Sequence, residues 1–191
     1  KFVGSDIDPV SIASSQAIID KNPILEQKVE LRTQENPKDI LYGVITKDEQ
    51  YDLSICNPPF HNSAEEAQAG SNRKVKNLTG KKQTDATLNF KGQPNELWCD
   101  GGESKFIAKY ITESKKFGSS CFWFSSLVAK QTHLNAIYKA LEYAQATQIH
   151  TIPMGQGNKT SRIVTWTFLT KAQQQNWKET RWGAAKKVVT D

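Results

Sequence analysis

Tyr51-Asp52-Leu53-Ser54-Ile55-Cys56-Asn57-Pro58-Pro59-Phe60 is the stretch from which the fold is read. Its first six residues alternate apolar and polar side chains, the period of a half-buried β-strand. The strand must finish at Asn57, because Pro58 and Pro59 have no backbone N–H to give a ladder. Upstream, Lys1-Phe2-Val3-Gly4-Ser5-Asp6 reads as another strand, and the chain opens inside it, which suggests that upstream sequence is missing. Asp8 is a good N-cap and Pro9 suits the first helical position, with Val10, Ala13, Ala17 and Ile18 as the helix stripe and a stop near Asn22-Pro23. Val29–Arg32 reads as a strand and Ile40–Tyr42 as a short amphipathic piece.

Downstream, residues 61–100 lose periodicity, which in a compact domain marks a functional or mobile segment. A helix is expected over Glu103–Phe117, with Phe106, Ile107, Tyr110 and Ile111 on its buried face, Lys115 and Lys116 complementing its C-terminus and Gly118 ending it. Cys121–Phe124 reads as a strand core, and Leu134, Ile137, Tyr138 and Leu141 as a helix face. A strand over Thr147–Ile152, a Gly155–Asn158 turn and an alternating strand with Val164, Trp166 and Phe168 close the pattern, and the tail beyond Lys171 is polar. Strand–helix alternation with a closing hairpin predicts an α/β fold: a doubly wound, mostly parallel sheet with a C-terminal antiparallel hairpin. Ligands in such sheets sit at the carboxyl ends of strands, where Asp6 and Asn57 fall.

The chain has 191 residues, enough for one α/β domain, and its mean hydropathy of −0.60 is that of a globular protein. No apolar run approaches the ~20 residues of a membrane span, and no signal-peptide pattern stands at the start. Twenty-five Lys and Arg against 20 Asp and Glu give +5, a tilt toward a polyanionic partner. Cys56, Cys99 and Cys121 fit neither a disulfide framework nor a metal spacing, and His61, His133 and His150 are equally scattered. No metal is expected, and a reducing cytoplasm is the expected compartment.

Asp6 is placed to accept hydrogen bonds from both ribose hydroxyls of a nucleoside cofactor, or else to cap the helix. The Asn57 side-chain oxygen and a carbonyl of the proline turn form a pair of acceptors for an exocyclic amine such as N6 of adenine. Accepting both N–H groups draws the nitrogen toward tetrahedral and exposes its lone pair to an electrophilic methyl group. Phe60 would stack on the base, a contact worth ~1–3 kcal/mol. No strong general base is needed, since positioning and electrostatics carry the step. The plainer alternative is a stiff strand-ending turn with a core Phe.

The Asn57-Pro58-Pro59-Phe60 tetrad after a strand, with Gly4-Ser5-Asp6-Ile7-Asp8 upstream, resembles the class I S-adenosylmethionine-dependent amino-methyltransferases. With His61 and Glu96-Leu97-Trp98-Cys99-Asp100-Gly101-Gly102-Glu103 added, it is similar to the bacterial large-subunit ribosomal RNA methyltransferase F family. That resemblance implies a Rossmann-like fold and S-adenosyl-L-methionine-dependent methylation of N6 of one adenosine in 23S ribosomal RNA. By resemblance, Asp6 binds the cofactor ribose, Ile7 lies by its adenine, and Asn57, Pro58, Pro59 and Phe60 hold the target base, Asn57 also facing the cofactor. The resemblance runs from Lys1 to about Trp182, so residues 1–182 are expected to be a methyltransferase domain and 183–191 a polar tail. The family also holds its cofactor with a glycine-rich loop after a first, central strand. This chain has neither, so the domain is expected to lack that strand and to be truncated.

Arg73, Lys74, Lys76, Lys81 and Lys82 form a basic loop without an acid, suited to RNA phosphates or to plain solvation. The partner implied is 23S rRNA, free or in an assembling large subunit, with an unpaired or flipped adenosine. No membrane and no obligate protein partner are expected. Protein glutamine or DNA adenine would suit the same turn, and a non-catalytic rRNA-binding assembly factor would suit the missing loop. Gly101-Gly102-Glu103 reads as a helix-start turn or an anion cradle, Trp98 as a stacking or core residue, and His61 as a bystander or a phosphate contact. Lys159 and Arg162 read as a solvated edge strand.

Overall fold

Tyr51–Cys56 forms the strand that its alternation predicts, and the chain leaves the ladder at Asn57. The structure, a computed structural model, describes residues 1–63, 65–66, 98–156 and 159–183, and the side chains of residues 156, 159 and 160 lie outside the description. The backbone divides into two units, Lys1–Glu49 and Gln50–Asp191.

In the first unit, β1 (Phe2–Asp6) and β2 (Val29–Thr33) pair in parallel, from Phe2 opposite Val29 to Asp6 opposite Thr33. Parallel neighbours need a crossover, here α1 (Pro9–Asp20) and the short α2 (Pro23–Glu26). The expected stripe of α1 is corrected: Val10 and Ile18 are 60% and 58% exposed, Ala13 and Ala17 are exposed too, and Ile19 is the buried residue. Ile12 and Ile19 stand two turns apart on one face, and that face is the more buried one. Ile40–Tyr42 forms turns rather than a helix, with Leu41 and Val44 buried. Arg32 ties this segment to β2: its guanidinium donates to the Val44 carbonyl and, at 2.8 Å, to Glu49 Oε2.

The second unit holds β3 (Tyr51–Cys56), β4 (Cys121–Val128), β5 (Gln148–Gln156) and β6 (Lys159–Thr167) in the order β3-β4-β6-β5. β3 and β4 are parallel, with Tyr51 opposite Cys121 and Cys56 opposite Ser126. The antiparallel pairs, β4–β6 and β5–β6, belong to the expected C-terminal hairpin and its neighbour. Hydrogen-bonded pairing divides between β1–β2 and β3 onward.

The crossover between β3 and β4 includes α3 (Gly102–Lys116), within a residue of the predicted helix. Ile107, Tyr110 and Ile111 are buried as expected, with Phe106 half-buried. The Tyr110 ring meets Phe124 and Trp166 edge-on, at centroid distances of 6.3 and 5.3 Å, geometries that aromatic quadrupoles favour. Trp166 Nε1 donates to Ser114 Oγ at 2.9 Å, so this buried donor has a partner. A 3₁₀ turn (Gln131–His133) and α4 (Leu134–Tyr143) follow β4, burying Ile137 and Leu141.

The polar tail begins later than the sequence suggests. Residues after Thr170 form α5 (Lys171–Trp177), capped by Thr170 and Gln173, and a π-helical turn over Lys178–Trp182. A run of Gln and Lys hides one buried Trp per two turns: Trp177 is 6% exposed and packs with Phe122 at 5.8 Å between rings. Asp52 anchors the segment, accepting Trp177 Nε1 at 2.8 Å, Trp182 Nε1 at 2.9 Å and Arg181 Nη2 at 3.3 Å (on Oδ2). Residues 184–191 lie outside the described ones. Arg162 is also corrected, because β6 lies inside the sheet and Arg162 is buried, its Nη1 3.4 Å from the Ala129 carbonyl. The Lys159 side chain lies outside the description.

Burial pushes the Asp52 carboxyl up, but its bonds from Trp177, Arg181 and Trp182 outweigh that and leave it below the ordinary aspartate value. A depressed folded-state value stabilises the fold above the unfolded pKa and is lost as pH falls through the folded one. Asp52→Asn is therefore expected to cost about 1 kcal/mol near neutral pH, a small value because Asp52 is half exposed. The difference from wild type should vanish in acid, as followed by urea unfolding with Trp fluorescence.

Candidate active site

A parallel pair sends both carboxyl ends to one edge of the sheet. Asn57–Phe60 leaves β3 and Ala129–His133 leaves β4 at that edge. Pro58 and Pro59 are buried, Asn57 is exposed and Phe60 is half-buried. The prolines thus carry the packing of the turn, and Asn57 is exposed beside them. Beneath the turn, Ser54 Oγ lies 2.6 Å from Tyr110 Oη, and Ser125 Oγ donates to the Ser54 carbonyl at 2.8 Å.

The segment after Phe60 is tied down. The Cys99 N–H donates to the His61 carbonyl at 3.1 Å, and His61 and Trp98 form an isolated parallel bridge. His61 Nδ1 stands 4.0 Å from Glu66 Oε1, so both the backbone and the ring of His61 face protein. Trp98 is half-buried, and its Nε1 has no hydrogen-bond partner among the described residues. Gly101 and Gly102 have φ of 76° and 60°, the left-handed region that glycine tolerates. A Cβ at Gly102 would stand 2.1 Å from Asn62 Oδ1. The start of α3 is therefore packed against Asn62, which fits a helix-start turn better than an open anion cradle.

At the end of β1, the two aspartates divide the work. Asp8 caps α1, Oδ1 accepting Val10 N–H at 3.0 Å and Oδ2 accepting Ser11 Oγ at 3.0 Å. Asp6 Oδ1 accepts the Asp8 N–H at 2.9 Å, and Asp6 takes no part in capping. Asp6 thus stands at the strand end relieved of capping, followed by Ile7 at 38% exposure. Asp6 and Ile7 belong to the first unit and Asn57–Phe60 to the second. Arg73, Lys74, Lys76, Lys81 and Lys82 lie outside the described residues. Among the described residues no helix is long and apolar enough to cross a membrane, and no His/Cys/Asp/Glu group could hold a metal.

Glu66 and Lys130 are not singled out by the sequence, and Glu103 and Arg162, which are, take other roles than the ones read for them. The signal for Glu103 is an acid right after two glycines at a helix start. For Arg162 it is a cation within an otherwise apolar-alternating strand.

The α/β architecture, two parallel strand pairs with a C-terminal antiparallel hairpin, is consistent with the class I methyltransferase fold. Solved structures agree on the fold. The hMettl16 catalytic domain in complex with MAT2A 3'UTR hairpin 1 superposes with a TM-score of 0.72 at 19% identity, covering 89% of this chain and 56% of that one. The N-terminal domain of human METTL16 in complex with SAH gives 0.61 at 17% identity, covering 88% and 52%. A family model described as RNA methyltransferase matches residues 1–170, and the chain belongs to that family. It is 56% identical over 181 residues to the ribosomal RNA large subunit methyltransferase F of Cytophaga hutchinsonii, covering 95% of this chain and 56% of that protein. It is 47% identical over 184 residues to the protein of the same name from Yersinia enterocolitica, covering 95% and 55%. The chain thus spans a little over half the length of the curated relatives it matches.

Two outcomes are expected of the site's framework. Asp8→Ala should destabilise the first unit by about 1 kcal/mol through loss of the cap, read by thermal unfolding. Burial, opposed only in part by a bond to Ser126, pushes the Cys56 thiol up to about 12, and burial does the same for Cys121. Both should resist alkylation in mildly alkaline buffer until the protein is unfolded, as mass spectrometry of the labelled peptides would show.

Proposed function

We propose that this protein transfers a methyl group from S-adenosyl-L-methionine to N6 of an adenosine in 23S ribosomal RNA. One observation carries the reading: Asn57 is exposed at the carboxyl end of β3, next to two buried prolines and a half-buried Phe60. The Asn57 carboxamide oxygen and a turn carbonyl accept the two N–H bonds of the target amine. The nitrogen lone pair is then directed away from the ring plane, and Phe60 stacks on the base. Bound S-adenosylmethionine supplies the electrophilic methyl group. Asp6 holds its ribose hydroxyls and Ile7 flanks its adenine. The turn acts by orientation and hydrogen bonding, which suits an amine that needs no strong base.

The names of the relatives support ribosomal RNA of the large subunit over other adenines. The net charge of +5 suits a polyanion. In this reading Arg73, Lys74, Lys76, Lys81 and Lys82 contact RNA phosphates. Residues 1–182 act as the methyltransferase domain, with 183–191 a tail, in the cytoplasm where ribosomes are assembled. The substrate is an unpaired or flipped adenosine, in free rRNA or an assembling subunit.

The test uses the protein at its full natural length, radiolabelled S-adenosylmethionine and unmodified 23S rRNA, followed by digestion to nucleosides. Label is expected in N6-methyladenosine, reduced at least about a hundredfold by Asn57→Ala. Asp6→Ala should weaken cofactor binding about tenfold, by loss of hydrogen bonds to a charged acceptor, while the thermal unfolding midpoint stays close to wild type. No label in RNA with cofactor bound would redirect the reading to protein glutamine or DNA adenine. Binding of rRNA that ignores the cofactor, without transfer, would indicate an assembly factor.

A further inference from the structure

We infer that Glu103 is a positioning residue, a latch that holds the loop after β4 against the start of α3 and thereby keeps the Asn57–Phe60 turn in place. Glu103 is 1% exposed and stands in the first turn of α3. A carboxylate so deeply buried is tolerated only when it is paired and hydrogen-bonded. Its partners are not on its own helix. Glu103 Oε1 accepts the Ala129 N–H at 2.5 Å, and Oε2 accepts the Lys130 N–H at 3.3 Å and lies 2.6 Å from His133 Nδ1. One side chain therefore gathers two successive amides and an imidazole of the loop that follows β4.

That loop leaves the sheet beside the turn, because Cys56 and Ser126 are opposite each other in a parallel pair. The two are joined again beyond Phe60. Glu66 Oε2 accepts the Asn62 N–H at 2.8 Å, and its Oε1 lies 3.5 Å from Lys130 Nζ. Gly102, next to Glu103, abuts Asn62, and the His61 carbonyl accepts from Cys99. Glu103 closes this circuit: it holds the Lys130 backbone amide, the half-exposed Lys130 side chain reaches Glu66, and Glu66 holds Asn62, two residues after Phe60. In a reaction that rests on orientation, a displacement of about 1 Å costs up to about a hundredfold in rate. The latch touches neither substrate nor cofactor, and its catalytic consequence rests on the proposed role of the turn.

Glu103→Gln, which keeps the shape and removes the charge, tests the latch in the full-length protein by two readouts. The first is the amide spectrum. The resonances of Ala129, Lys130 and Asn62 should all move, while those of Ile107 and Ile111 in the core of α3 stay in place. The second is methyl transfer to 23S rRNA, where kcat should fall about tenfold to a hundredfold with less than about a twofold change in KM for RNA. Amide changes confined to Ala129 and Lys130, or an unchanged kcat beside an active wild type, would overturn the inference. Should Glu103→Gln fold poorly, Lys130→Ala leaves Glu103 and both amide bonds in place but cuts the contact with Glu66, and it must shift Asn62 and lower kcat for the latch to stand. An inactive wild type would count against the methyl-transfer reading, and the Asn62 resonance would then decide the latch alone.

Discussion

Parallel pairing of Tyr51–Cys56 with Cys121–Val128 is the constraint on which the second unit depends. Parallel strands cannot be joined by a tight hairpin, so the chain between them must cross the sheet, and α3 is the described helix of that crossing. The helix brings Ile107, Tyr110 and Ile111 onto the sheet, and Tyr110 also gives Ser54 a hydroxyl partner beneath the turn. The same pairing sends Asn57 and Ala129 out at one edge. The core and the candidate site are two consequences of one register.

Polar groups around that edge are placed by a second rule, that buried charge must find partners. Glu103 and Arg162 meet it by binding loop backbone rather than each other, and the half-exposed Glu66 holds the Asn62 amide in a similar way. Buried carboxylate and guanidinium thus become fasteners for segments with no regular structure of their own. At the far end of β3, Asp52 does the same for the C-terminal helix with two indole donors and Arg181. The strand that ends in the turn is thereby held at both ends by acid-centred hydrogen bonds.

In the first unit the labour is split between neighbouring acids. Asp8 satisfies the open amides of α1, which relieves Asp6 of capping at the strand end. Asp6 and Asp8, two residues apart, hold different backbone groups: Asp6 accepts the Asp8 N–H and Asp8 accepts from Val10 and Ser11. Their different partners give each a distinct reason to be there.

The alternation of Tyr51–Cys56, the double proline, the Asp8-Pro9 helix start and the stripe of Ile107, Tyr110 and Ile111 were legible because each depends on local sterics and periodicity. The shape of the turn was legible too, since two prolines after an asparagine limit the backbone to few shapes. The exposure of Val10 and Ile18 was not legible, because a helix with apolar residues on two faces does not say which face its strands will cover. Nor was the burial of Trp177 inside a glutamine-rich run, or of Arg162 in a strand that read as an edge: strand order decides both, and order is a matter of distant pairing. Glu103 is the clearest case. By sequence it is an acid favouring a helix N-terminus, and only the tertiary structure, by placing the Ala129 and Lys130 amides within its reach, turns it inward. What the chain determined by itself was where most strands and helices start and stop, the helix after Thr170 excepted. Which buried charge meets which loop was decided when the strands paired, because a hydrogen bond between residues far apart in sequence exists only once the fold has brought them together.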